Sequence, residues 1–569
     1  MLIDTLEQIV KEALQTLQYD QNYVKIIKSN RPDLCDYQFD GIFKMASQYE
    51  KKPMELATEI KDALEKADAI TNYFSNIEVA PPGFINFTLS DAFINKQLGL
   101  MNDNEKFNIK QPDKVETFVL DYGGYNIAKP LHIGHLRPSI IGESIKRIIN
   151  YMGHKTIADV HLGDYGLQMG QVIYGVLRDK KDVSEIDIEY LNKIYPEISG
   201  LCKESEDIKE TCATITKELQ EGKNEEYTQI WNKILDVSLE DVRKITDYID
   251  VSFDLWEGEK DAYAYLPAVE EILTKKNLLE RSEGATVVNV KKETDNKPMP
   301  PMIFKKSNGA YVYDSTDVAT IYERKQKFNP DHIIYVTDFR QNLHFEQVFR
   351  VSDLAGLLPY ESLEHAYNGT INGTDGKPFK TRAGGVPKLS ELFTLVKETF
   401  INSKEENKDM PKEDVDIIVN AIIKFADLQN NRDKDYIFDV EKFSKVVGKT
   451  GPYILYTYVR INKLIKENVQ KDFTNIGECI YNKQDRDLRL QLLNLESALQ
   501  NAYEYRMPNY IANYIYDTCV LLNAFYQNNH INSTDDETQK NEWLYVLSLA
   551  NKIIKEMLTL LMIDIPSAM

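Results

Sequence analysis

The sequence predicts an α/β protein: a parallel-sheet domain carrying an inserted helical region, with a small α+β module ahead of it and an all-α bundle behind it. Three observations support this. VETFVLDY (115–122) is a short apolar run rich in β-branched and aromatic residues, the pattern of a buried strand. After a glycine turn, Leu136, Ile140, Ile141, Ile145, Ile148 and Ile149 recur at helical spacing, and TIADVHL (156–162) then reads as a second strand. Strand, helix and strand in about 50 residues make a βαβ unit, which implies a parallel sheet. From about residue 386 to the end nearly every segment is helical and tyrosines are frequent.

The elements follow in order. Residues 1–105 form the N-terminal module: an amphipathic first helix, mixed segments, then NIEVAPPGFINFTLS (76–90), in which a Pro-Pro-Gly turn leads into an alternating run. The polar stretch 102–114 reads as a linker, and residues 106–385 as the parallel-sheet domain, with a charged helical insertion at about 175–300. After the insertion, AYVYD (310–314) reads as a strand, VATIYERKQKF (318–328) as a helix and HIIYVTD (332–338) as a strand. Residues 386–450 are a helical connector and 451–569 the terminal bundle. Gly153 sits where a C-terminal cap of the first sheet helix belongs, and Pro138 is expected in that helix's first turn.

Composition narrows the function classes. The chain has 569 residues, with 68 Lys+Arg against 89 Asp+Glu and a formal charge of −21. No apolar run approaches the roughly 18 residues a spanning helix needs, so no membrane partner is expected. The five cysteines form no CxxC pair, so a reduced, cytoplasmic setting is expected and a cysteine-based zinc site is not. The acidic total would oppose nucleic-acid binding if charge were even. Between Lys442 and Lys466, however, there are six basic residues and no acidic one. Such a patch can hold a phosphate backbone, although a solvated helix face has the same composition.

The sharpest chemical signal is Lys129-Pro130-Leu131-His132-Ile133-Gly134-His135, between the first strand and the first helix. Ligands of open α/β sheets bind there, beyond a strand's carboxyl end and against a helix N-terminus. Gly134 lets a nucleotide approach the backbone, and imidazoles three residues apart can donate to phosphate oxygens. The chemistry that fits is attack on an α-phosphate with departure of pyrophosphate; a metal-binding or core histidine pair is the bland alternative.

PLHIGH resembles the HIGH signature of class I aminoacyl-tRNA synthetases. The longer string YNIAKPLHIGHLRPSIIGESIKRII, running on into HLGDYGLQMG (161–170), is similar to arginyl-tRNA synthetases in particular. PGFINF (82–87), GTDGKPFKTRAGGVPKLSEL (373–392), ADLQNNRDKDYIFD (426–439) and GPYILYTYVRI (451–461) resemble further segments of that family in the expected order. The resemblance implies a Rossmann-like catalytic domain that activates L-arginine with ATP, as its Mg2+ complex, and transfers arginine to the terminal ribose of tRNA(Arg). It implies no structural metal, and a monomer.

By the same resemblance, Asp121, Asn126, His132, Tyr313, Asp317 and Gln341 hold arginine. His132, Gly134, His135, His344 and Lys380 contact ATP, and His132, His135, Lys129, Lys380 and Arg382 serve catalysis. A guanidinium is planar and permanently charged, so a carboxylate with flanking aromatic and amide groups suits it. Asp317 also stands where it could cap the helix 318–328, since STD opens it, and both roles are compatible. The second signature loop departs from the family, because its usual second lysine is absent from Pro378–Gly385; Lys129 is a cation that could replace it. Gly123-Gly124-Tyr125 stands where the family has serines and a proline. For tRNA, Lys445, Lys449, Arg460, Tyr526 and Met569 are the candidates, basic and aromatic side chains being suited to unstacked bases. A cysteinyl-tRNA synthetase, a small nucleotidylyltransferase and a catalytically inert tRNA-binding relative are the competing assignments.

Overall fold

The computed structural model describes residues 2–67, 70–380, 387–468 and 476–569. The N-terminal module is a four-stranded antiparallel sheet, in the order Ile26–Lys28, Tyr37–Phe39, Phe84–Leu89, Phe74–Ala80, packed by helices that include Leu2–Thr16 and Pro53–Glu65. Its apolar residues alternate along Phe84–Leu89, so that Ile85, Phe87 and Leu89 are all fully buried.

The central region is built on a parallel sheet ordered Leu363–His365, His332–Val336, Thr117–Tyr122, Lys155–Asp159. Its inner strands are near-continuous apolar runs, as a sheet covered on both faces requires. Helix Ile133–Tyr151 packs on it at close range: a Cβ added at Gly142 would lie 2.3 Å from the Tyr122 ring. Register matters here. Asp159, Asp121, Tyr335 and His365 stand opposite one another across the four strands, forming one polar row near the carboxyl end of the sheet.

Between sheet strands the chain leaves into helices Leu167–Asp179, Ile188–Glu204, Glu206–Gln220 and Glu225–Tyr248. It returns through bridges pairing Leu255 with Asp159 and Gly258 with Leu162. A three-stranded meander, Leu279–Ser282, Ala285–Val288 and Met302–Lys305, follows. Helices Leu389–Asn402 and Lys412–Leu428 lead to the terminal bundle, which ends in Glu537–Leu560. Among the described residues no helix is long and apolar enough to cross a membrane.

The sheet helix anchors the bundle. Arg137 forms a buried ion pair with Asp427 at 3.0 Å and donates to the Lys434 carbonyl. Ser144 and Arg147 donate to the carbonyls of Leu560 and Thr559.

Two expected elements are corrected. AYVYD is not a strand: Tyr313 opens helix Tyr313–Phe328, whose first turn is closed by Ser315, which accepts from the Val312 N–H. Asp317 therefore lies one turn inside the helix and caps nothing. Pro138 is the sixth residue of its helix rather than part of the first turn, because the helix starts at Ile133, immediately after His132.

Candidate active site

The histidine signature forms the start of the sheet helix. His132 is the N-cap: its Nδ1 accepts from the Gly134 N–H at 3.1 Å, while the Nδ1 of His135 accepts from the His132 N–H at 3.1 Å. This is a reciprocal capping box made of two imidazoles. The rings stack with centroids 3.9 Å apart. Because each Nδ1 accepts, each hydrogen sits on Nε2, so both rings are neutral donors. Burial pushes both pKa values down, aided by neighbouring cationic Lys129, and His135 falls to about 3. A Cβ at Gly134 would lie 2.9 Å from the His132 ring, so only glycine admits this cap.

The preceding turn depends on unusual backbone. Gly123 and Gly124 have φ of 91° and 57°, conformations open to glycine at little cost. Ala128 also has φ of 62°, and its N–H is held by Ser238 Oγ from the inserted helix at 3.0 Å. Asn126 pairs with Gly163, where a Cβ would meet the side-chain Oδ1 of Asn126 at 2.7 Å. Lys129 lies over the ring of Tyr195 in the insertion, 4.7 Å from its centroid.

The segment that contains Gly163 also contains His161, which adopts φ of 38°; strain of this kind clusters at functional sites. Its Nε2 is buried, lacks a hydrogen-bond partner and sits 3.8 Å from Asp317 Oδ1. Burial would lower its pKa, but the carboxylates of Asp121 and Asp317 outweigh that and raise it. The loop 161–163 thus connects Asn126, behind the histidine signature, to Asp317.

Asp317 is 4% exposed. Its Oδ2 bonds His344 Nε2 at 2.5 Å, and His344 Nδ1 bonds Asp314 Oδ1 at 2.7 Å. Tyr313 is half exposed and its ring lies tilted against His344, centroids 4.5 Å apart, with its hydroxyl pKa driven up chiefly by Asp317. Gln341 lies one turn before His344, and its Oε1 is a buried acceptor without a partner. Glu259, whose helix start follows the Leu162–Gly258 bridge, is pushed by burial to a pKa of about 7, and it senses His161 and Asp317. Asp121 is buried and its Oδ2 accepts from Arg324 Nη2 at 2.7 Å, as does Asp159 Oδ2. One guanidinium thus bridges two carboxylates that register places side by side.

The structure therefore gathers Asp121, Tyr313, Asp317 and Gln341 in one region at the sheet's carboxyl edge, with Asn126 and the two histidines joined to it through residues 161–163. His344, expected at the nucleotide, is bonded through its two ring nitrogens to Asp314 and Asp317. Lys380 is exposed and ends a described stretch; Arg382 lies outside the described residues. In and beside the terminal helices, Arg460 lies over Tyr526 at 4.6 Å and over Tyr456 at 5.7 Å, and Lys449 bonds Asn513 beside Tyr516. Lys445 is exposed and Met569 is packed partly against the bundle core. Sequence reasoning missed His161, Asp314, Arg324, Glu259 and Ser238. Of these only His161 had a local signal, in HLGDYG directly after a strand.

Comparison with known proteins follows the same division. A family model described as the catalytic domain of class I tRNA synthetases (R) matches residues 97–440. The arginyl tRNA synthetase N-terminal domain matches 4–89, and the DALR anticodon binding domain 454–569. The chain is 38% identical to proteins named arginine–tRNA ligase from Alkaliphilus oremlandii and Agathobacter rectalis, with 100% of each chain covered. In fold it is similar to the arginyl-tRNA synthetase of Thermus thermophilus, at a TM-score of 0.81, 20% identity and 100% coverage of both chains. It is likewise similar to that of Plasmodium falciparum, at a TM-score of 0.82, 24% identity and coverage of 100% of this chain and 99% of the other.

Proposed function

The chain belongs to the arginyl-tRNA synthetase family, and from that premise we propose how its residues join arginine to tRNA(Arg) at the expense of ATP. The observation that carries the assignment of arginine is a buried carboxylate, Asp317, bonded to His344, together with an unpartnered buried amide oxygen, Gln341 Oε1, at the start of the helix that holds His344. A planar donor of fixed positive charge satisfies both; a neutral side chain leaves the charge of Asp317 uncompensated, and an apolar one satisfies neither group. Tyr313 covers the guanidinium with its ring. Asp121, held by Arg324, and Asn126 take the α-ammonium end, which turns the carboxylate toward ATP.

An oxygen of that carboxylate attacks the α-phosphorus. The bond from phosphorus to the oxygen bridging the α- and β-phosphates breaks, and pyrophosphate leaves. His132 and His135 donate from Nε2–H to phosphate oxygens as charge builds there, and being neutral they need lose no proton to do so. Lys129, Lys380 and Arg382 offset charge on the departing pyrophosphate. A terminal ribose hydroxyl of tRNA(Arg) then attacks the acyl carbon and AMP leaves. Magnesium enters with ATP, held by its phosphates. Among the described residues the one cluster with metal-ligand geometry is Asp121, Asp159 and His161, and there the Arg324 guanidinium already supplies the positive charge.

The remaining assignments belong to this reading too: residues 1–105 contact tRNA, 106–385 perform catalysis with the insertion at about 175–300, 386–450 connect, and 451–569 read the anticodon. Lys445, Lys449, Arg460, Tyr526 and Met569 face tRNA, and the protein works as a cytoplasmic monomer.

Arginine-dependent pyrophosphate exchange, measured with and without tRNA(Arg), tests the proposal. Arginine alone among the amino acids should support exchange, and Asp317→Asn should raise the arginine KM by about 100-fold, the worth of a buried charge-assisted pair. Exchange supported by another amino acid, or none under either condition, would overturn it.

A further inference from the structure

We propose that His344 is a positioning residue for arginine selection: strung between Asp314 and Asp317, it fixes which oxygen of Asp317 meets the guanidinium and offsets the charge of the second carboxylate. This rests on Asp317 being the guanidinium's partner.

Asp314 and Asp317 are three residues apart on helix Tyr313–Phe328 and so share a face. Two carboxylates so placed in a half-buried site repel, which leaves the pair unbalanced. His344, reaching in from helix Asn342–Ala355, prevents this by bonding Asp314 through Nδ1 at 2.7 Å and Asp317 through Nε2 at 2.5 Å. A neutral imidazole has one N–H and can donate to only one of them. Two ionised carboxylates therefore require both nitrogens protonated, in keeping with a pKa raised to about 9 by these hydrogen bonds against the pull of burial. The ring is fixed by Tyr313 on one side and by Phe345 edge-on, with centroids 4.5 and 5.0 Å away.

Two consequences follow. With Oδ2 of Asp317 committed, the guanidinium is directed to Oδ1, the oxygen on the His161 side. Two carboxylates and one imidazolium sum to a single negative charge, which one guanidinium balances. Without the imidazolium, the two carboxylates carry one negative charge more than a single guanidinium balances.

Substitutions separate the two ring nitrogens. Glutamine places its amide nitrogen near the Nε2 position and keeps the bond to Asp317; asparagine places it near Nδ1 and keeps only the bond to Asp314. In exchange assays with tRNA(Arg) present, His344→Asn should raise the arginine KM by about tenfold or more, with kcat within about threefold and the ATP KM unchanged. His344→Gln should raise it less, and adding Asp314→Asn to His344→Gln should bring it back toward wild type, because one carboxylate fewer needs neutralising. Asp314→Asn alone keeps an oxygen that can accept from Nδ1 and should raise the arginine KM less than His344→Asn does, and thermal unfolding followed by circular dichroism checks that every variant is folded. A rise in the ATP KM with the arginine KM unchanged would make His344 a nucleotide contact and overturn the proposal. So would equal losses in the glutamine and asparagine variants with no recovery on adding Asp314→Asn. Asp317→Asn keeps the two failures apart. If it leaves the arginine KM unchanged, the pocket assignment itself falls; if it raises the KM while both His344 variants behave as wild type, only the role of His344 falls.

Discussion

Replacing Arg324 with methionine removes the guanidinium that spans Asp121 and Asp159, while the methionine stem keeps most of the packing. The three side chains are 1%, 9% and 1% exposed, and parallel register sets the carboxylates directly opposite each other. Breaking a buried pair by deleting one partner costs about 3–5 kcal/mol. The loss should depend on pH. Burial already pushes the Asp121 carboxyl upward with Arg324 present, and losing the guanidinium removes the main influence that lowers it, so this carboxyl rises further above its unfolded value. Groups raised in this way favour the folded state below the unfolded pKa, and that contribution disappears as pH climbs through the folded one. Arg324→Met should therefore show its full deficit near pH 8 and a smaller one near pH 5.5, read from urea unfolding followed by circular dichroism. Adding Asp159→Asn should recover stability at pH 8. A deficit below about 1 kcal/mol, equal at both pH values, would show that the bridge is not what holds these carboxylates in the sheet.

Other outcomes are equally specific. Lys129→Ala should slow adenylate formation by about 100-fold with the arginine KM nearly constant, measured in rapid-quench single turnovers; an unchanged rate would remove Lys129 from the phosphate site. Gly134→Ala forces the His132 ring off its cap, so kcat should drop about 10–100-fold while the helix loses about 1 kcal/mol; wild-type exchange kinetics would show that the stacked imidazoles are not positioned for catalysis. Lys445→Ala with Lys449→Ala should weaken tRNA(Arg) binding and reduce the salt dependence of its KM by roughly one unit of log–log slope for each phosphate no longer neutralised. An unaltered slope would move the tRNA backbone away from this patch.

Much of the site was legible in the sequence because its residues sit at places where local pattern has chemical meaning. The two histidines follow a recognisable strand and precede a recognisable helix, so their location at the sheet's carboxyl edge could be inferred from periodicity. Their reciprocal capping could not: it depends on ring orientations set by φ and ψ at His132 and by the absence of a side chain at Gly134. Asp317 was legible as a carboxylate near a helix start, but the helix begins earlier than the string STD suggests. Ser315 takes the capping role and frees Asp317 for the pocket. His344 carried no local sign of its two partners, because Asp314 and Asp317 lie 30 and 27 residues away.

By itself the chain's order of apolar runs, turns and signatures determined the layering into module, sheet domain and bundle, and the chemistry at the first strand's end. Those features depend on neighbours within a turn or two, where periodicity and glycine placement act directly. Only the tertiary structure decided which charges meet. Strand register placed Asp121 beside Asp159, the helix Tyr313–Phe328 brought Arg324 across both, and a third element inserted His344 between two carboxylates. Such pairings answer to burial, which makes an unpaired charge too costly to leave, and burial is a property of the assembled layers rather than of any segment.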